Sequence, residues 1–113
     1  MDDPIVVFCT APSAEEAKTI ARILVDERMA ACAQIVPGMT SLYVWEGKPC
    51  EESEVLMLLK TRRRLFDALA ERIRGLHSYR VPEIVAVPVS DGSPPYLRWM
   101  ESNLSGERTP DHG

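Results

Sequence analysis

The apolar positions of the chain follow two alternating rhythms. Residues 5–10 form a short, β-branched, apolar run that stops at Ala11 and Pro12, which predicts a strand. Beyond it Ala17, Ile20, Ala21, Leu24 and Val25 recur at helical spacing, an apolar stripe whose opposite face carries Lys18, Arg22 and Asp26. Ser13 and Glu16 stand at the spacing of a capping box, in which the serine accepts from a free amide while the glutamate reaches back to the cap. A helix to about Met29 follows from this pattern.

Residues 31–36 return to strand character, Pro37 and Gly38 interrupt it, and residues 41–45 resume it, which predicts one long bent strand. Glu46, Gly47, Lys48 and Pro49 supply a turn, and residues 52–60 come back as the second arm of a hairpin longer than the domain needs. Thr61 is placed to cap a second helix, with Leu65, Phe66, Leu69, Ala70 and Ile73 inward and Gly75 at its end. A polar loop, His77 to Arg80, leads past Pro82 into a last strand over 84–89. Pro94 and Pro95 then open a short helix carrying Tyr96, Trp99, Met100 and Leu104.

The order βαββαβ with an added C-terminal helix is that of an α+β, ferredoxin-like fold, whose two helices pack on one face of an antiparallel sheet. Residues 5–9, 55–59 and 84–87 are apolar at nearly every position, whereas a sheet with one wet face alternates apolar with polar residues. The helices cover a single side. The pattern therefore predicts another subunit against the other, with the long hairpin reaching across to it.

Composition narrows the function classes. At 113 residues the chain has room for one domain, expected over residues 1–104, and the polar stretch 105–113 reads as an unstructured tail. Thirteen basic against seventeen acidic residues give a formal charge of −4, a balance that repels nucleic acid. The basic run Arg62 to Arg64 reads as a solvated first helical turn or an anion site. No run approaches the roughly eighteen apolar residues of a membrane span, and Asp2, Asp3 and Pro4 stand where a signal peptide is basic. A cytoplasmic protein with neither nucleic acid nor membrane as partner is expected. Three cysteines, Cys9, Cys32 and Cys50, without a CxxC pair argue for reduced thiols.

Several strings carry a resemblance to a known family: Cys9-Thr10-Ala11-Pro12, Ala30-Ala31-Cys32, Ser41-Leu42-Tyr43-Val44-Trp45-Glu46-Gly47, Leu59-Lys60-Thr61, the loop around His77 and Tyr79, Val81-Pro82-Glu83-Ile84, and Tyr96-Leu97-Arg98-Trp99. In register over residues 5 to about 104, they make the chain similar to the CutA family of divalent-cation tolerance proteins. The resemblance implies a ferredoxin-like protomer in a tight homotrimer resembling the nitrogen-regulatory PII proteins. It also implies a link to copper and other divalent metals, with Cys9 and His77 as the matching ligands. The loop departs from the family's usual His-Pro-Tyr-Glu in carrying Ser78 and Arg80, and Leu76 stands where a second histidine occurs.

Chemistry adds candidates without an enzyme motif: there is no nucleophile beside a base, no carboxylate pair and no phosphate loop, so catalysis is not expected. His77 is either a solvated loop residue or a ligand, and Cys9 either a core thiol or its partner; thiolate with imidazole suits copper, Cu(I) above all. Tyr43, Trp45, Glu54, Lys60, Tyr79 and Glu83 converge if the hairpin meets the loop before the last strand. They would form a pocket for a small anionic ligand, or else Tyr43 and Trp45 anchor the interface. Two functions follow: a trimer that binds metal and serves metal tolerance, and a PII-like trimer that binds a small molecule or partner protein with no direct metal role.

Overall fold

The computed structural model describes residues 2–106. Its elements are β1 (Pro4–Ala11), α1 (Ala14–Asp26), β2 (Cys32–Trp45), β3 (Lys48–Arg62), a 3₁₀ turn (Arg63–Leu65), α2 (Phe66–Leu76), β4 (Ile84–Pro88) and α3 (Pro94–Ser102). The sheet runs β2-β3-β1-β4 with all neighbours antiparallel, as the ferredoxin-like order requires. Of the expected tail 105–113, residues 107–113 lie outside the described residues. Ser105 is tied down, its amide donating to the Arg28 carbonyl at 2.8 Å.

Alternation along β1 and β3 divides the sheet into two unlike faces. Ile5, Val7 and Cys9, with Val55, Met57 and Leu59 from β3, bury themselves against Ala17, Ile20, Ala21 and Leu24 of α1 and Leu69 and Ile73 of α2. Val6, Phe8, Leu56 and Leu58 point the other way and stay half-buried; among the described residues only α3 reaches this face, at its Val6 end, and beside them Val85 and Val87 of β4 are 53% and 45% exposed. The bare face expected from the unbroken apolar strands is therefore present. α3 crosses only one end of it, where Tyr96 meets Lys60. A small second core joins Met100 and Leu104 to Ala31 and Leu65.

Local chemistry sets the boundaries, and several differ from the sequence pattern. Ser13 caps α1 as expected, its hydroxyl accepting from the Glu16 amide at 3.1 Å. The helix stops at Asp26, short of Met29, because Arg28 turns left-handed (φ 62°); Met29 then donates back to the Leu24 carbonyl and Arg28 to that of Val25, the paired bonds that close a helix end. Thr61 caps nothing. It is buried in β3 and its hydroxyl donates to the Met29 carbonyl at 2.7 Å, while α2 starts at Phe66 and runs through Gly75 to Leu76. Within the basic run Arg62 and Arg64 pair inward with Glu101, Arg64 also with Asp2, while Arg63 stays exposed beside Asp3, so only Arg63 keeps the solvated character expected of the whole run.

β2 and β3 extend past the rest of the sheet as a long hairpin arm, and the molecule measures 53 × 27 × 23 Å. Between Val36 and Met39 the register shifts; Gly38 lies there at φ 81°, a left-handed conformation that suits glycine, and the strand bends as expected. The turn is tighter than the four residues expected. Only Glu46 and Gly47 form it, both at positive φ (51° and 80°), and Trp45 already pairs with Lys48.

Candidate functional site

The loop between α2 and β4 is held by α1 and β1. His77 is buried at the end of α2; its Nε2 donates to the Thr10 carbonyl at 2.7 Å and its Nδ1 accepts from the Tyr79 amide at 3.0 Å. These two bonds assign the proton to Nε2. Glu16 does not return to its own helix cap. Its carboxylate instead accepts from the amide and hydroxyl of Ser78, each at 2.8 Å, and so clamps the loop onto α1. The His77 and Tyr79 rings stand 4.9 Å apart, and the clamped loop delivers the Tyr79 hydroxyl to Glu54 on β3, which it reaches at 2.7 Å.

That hydrogen bond lies in a cavity of about 640 Å³ between the arm, as far as its tip, and the loop. β2 contributes Tyr43 and Trp45; β3 contributes Cys50 and Glu54; the loop contributes Tyr79, Arg80, Val81 and Glu83; Thr10 closes the end of β1. Tyr43 and Cys50 are direct cross-strand partners, and alternation from the helix-facing Val55 sets Cys50 and Glu54 on the bare face. Arg80 reaches the rim, where its guanidinium lies 3.9 Å from the Glu46 carboxylate and is 82% exposed. Burial, then the Glu54 carboxylate, push the Tyr79 phenol well above the ordinary tyrosine range. Burial and the charges of Cys50, Glu52 and Glu54 push Tyr43 the same way.

Five of the six candidate pocket residues thus converge: Tyr43, Trp45, Glu54, Tyr79 and Glu83. Lys60 does not. It sits six residues along β3 from Glu54, roughly 20 Å at the rise of a strand, between Val6 and Cys32, where its ammonium approaches the Tyr96 hydroxyl at 3.4 Å and the Tyr96 ring at 5.4 Å. The cation on which an anionic ligand rested is therefore missing, and carboxylates outnumber the one arginine.

Cys9 and His77 meet at the same atom, the Thr10 carbonyl, to which the Cys9 thiol makes a long contact of 3.8 Å. Neither offers a ready donor. Both ring nitrogens of His77 are engaged, and burial, reinforced by Glu83 and Glu16, pushes the Cys9 thiol up to about 12. Among the described residues no three His, Cys, Asp or Glu side chains gather as metal ligands would. The pair does not fit a resident copper ion as it stands.

Thr10, Cys50, Arg80 and Val81 also line the cavity, though none of them was among the pocket candidates read from the sequence. For Cys50 the signal existed in the turn. Glu-Gly as a two-residue connection pairs residue 45 with 48 and hence 43 with 50, whereas a four-residue turn sets Cys50 opposite Trp45.

Comparison with known proteins bears on the family and the fold. Residues 5–103 match the family model described as CutA1 divalent ion tolerance protein. The chain is 52% identical over 98 residues to the divalent-cation tolerance protein CutA of Thermus thermophilus, covering 87% of this chain and 95% of that one. It is 50% identical over 93 residues to protein CutA of Mus musculus, covering 82% of this chain but only 52% of the mouse protein. The crystal structure of CutA1 from Oryza sativa superposes with a TM-score of 0.90 at 41% identity, over 93% of this chain and 96% of that one.

Proposed function

This chain belongs to the CutA1 divalent ion tolerance family, and we propose that it serves divalent-cation tolerance as a homotrimeric binding protein that holds a small ligand in the cavity between its arm and the loop before β4. The observation that carries this reading is the Tyr79–Glu54 hydrogen bond set among aromatic walls in a cavity of about 640 Å³. Small-molecule sites have this size and this mixture of apolar wall and few polar groups. The trimer is supported by the bare face of Val6, Phe8, Leu56, Leu58, Val85 and Val87, which a second copy covers and water does not. The arm supports it as well, with Leu42 and Val44 exposed near its tip.

Binding without turnover is supported by the protonation of Tyr79 in the cavity and of Cys9 in the neighbouring core. Cys9 and Tyr79 are both pushed toward their protonated forms, so neither serves as nucleophile or base near neutral pH. A cytoplasmic location is favoured by Cys9, Cys32 and Cys50, all free thiols. Copper on Cys9 and His77 is the weaker reading: it requires displacing the Tyr79 amide or the Thr10 carbonyl from the imidazole and removing a proton from a buried thiol.

Light scattering on the purified protein is expected to give about three times the 12.6 kDa of one chain, and a concentration-independent monomer would sink the trimer. Anaerobic Cu(I) titration is expected to give the same affinity for the native protein, Cys9→Ser and His77→Ala. Loss of binding in either variant, with the trimer intact, would restore these residues as metal ligands.

A further inference from the structure

Resting on the cavity reading above, we propose that the ligand is a small organic ammonium ion, its charged nitrogen bound by Glu54 and its apolar body held between Tyr43, Trp45 and Tyr79. Glu54 is only 7% exposed, yet it stands in a cavity and not in the core. One carboxylate oxygen accepts from Tyr79; the other accepts no hydrogen bond among the described residues. That second oxygen is not among the buried atoms left without a partner, so it stays open to the cavity and within reach of a donor that enters it, and a charged N–H donor makes the strongest such bond.

The surroundings select the sign of the ligand. Glu83 adds a second carboxylate to the lining, and the field of Glu83 and Glu16 is felt as far as the Cys9 thiol, which it raises. Arg80, the lining cation, is turned to the rim beside Glu46 and is largely hydrated. Lys60 is at the far end of its strand. Faces of tyrosine and tryptophan attract cations through their ring quadrupoles and stack on flat apolar groups, so the walls favour the same ligand as the carboxylates. An anion there would meet both carboxylates without a buried cation to offset them.

Benzylammonium, benzyl alcohol and benzoate share one ring and differ in charge, and calorimetric titration of each into the trimer at fixed ionic strength tests the proposal. Benzylammonium is expected to bind at least about tenfold more tightly than the alcohol, the scale of one charge-assisted hydrogen bond, and benzoate most weakly. Glu54→Gln, which keeps an acceptor for Tyr79, is expected to abolish the preference for the ammonium while leaving the alcohol unchanged. Equal or tighter binding of the alcohol or benzoate, weakened by Trp45→Ala, would overturn the ammonium assignment and leave the cavity as a ligand site. A full preference for ammonium in Glu54→Gln would also overturn it. Failure of all three probes to bind a protein of trimeric mass would remove the cavity reading together with this inference.

Discussion

At Cys9 the thiol is enclosed between a central strand and two helices, where a thiolate would lose its water and face the carboxylates of Glu83 and Glu16. Its proton is consequently held up to about 12, against an ordinary value of 9.0. Because the folded state binds that proton more tightly than the unfolded chain, the associated stability is complete below pH 9 and is lost as pH rises from there toward 12. Tyr79, also raised, adds a loss of the same sign further up. Urea unfolding midpoints are expected to hold through neutral pH and fall above pH 9, with a shallower fall in Cys9→Ala. Alkylation by iodoacetamide at pH 8, mapped by mass spectrometry, is expected to reach half-buried Cys32 and Cys50 and to spare Cys9 until the protein unfolds.

Among the elements, β2 depends on a conformation more than on a contact. Gly38 sits at φ 81° with nothing within 4 Å of where a Cβ would stand, so Gly38→Ala introduces backbone strain without a clash. The expected cost is about 1–2 kcal/mol, read from denaturant unfolding, and an unchanged stability would mean that the bend relaxes freely. Periodicity alone disclosed the order of strands and helices, the bend at Pro37 and Gly38, and the bare sheet face. What it missed were matters of register and partner choice. Thr61 carries the side chain of a cap, but burial in β3 and a bond to Met29 claimed it; Glu16 has capping-box spacing, but Ser78 offered two donors. Lys60 and Glu54 share a strand face yet lie six residues apart along it, Glu54 mid-strand and Lys60 near its end, so a list of polar residues on β3 mixes two environments. The convergence of arm and loop was legible as a condition; the clamp that enforces it, His77 and Glu16 acting across more than sixty positions, was not.

For the molecule as a whole, the two halves of the sheet differ in what they can bury alone. The body has its own core on one face, closed by α1 and α2. The arm is a two-stranded ribbon beyond that core, with Leu42 74% exposed and Val44 67% exposed. Isolated ribbons of this kind are marginal in water, so the body is able to form in a single chain while the arm must wait for neighbours. Renaturation should therefore split by molecularity. A Trp99→Phe variant, in which Trp45 alone reports on the arm, is expected to show a first phase in far-ultraviolet dichroism that ignores dilution and a later fluorescence phase that accelerates as protein concentration rises. A fluorescence phase indifferent to concentration would mean that the arm closes on its own. The same hairpin that frames the cavity thus ties the completion of each binding site to an encounter between chains, and at high dilution the protein should regain its helices before it regains its ligand.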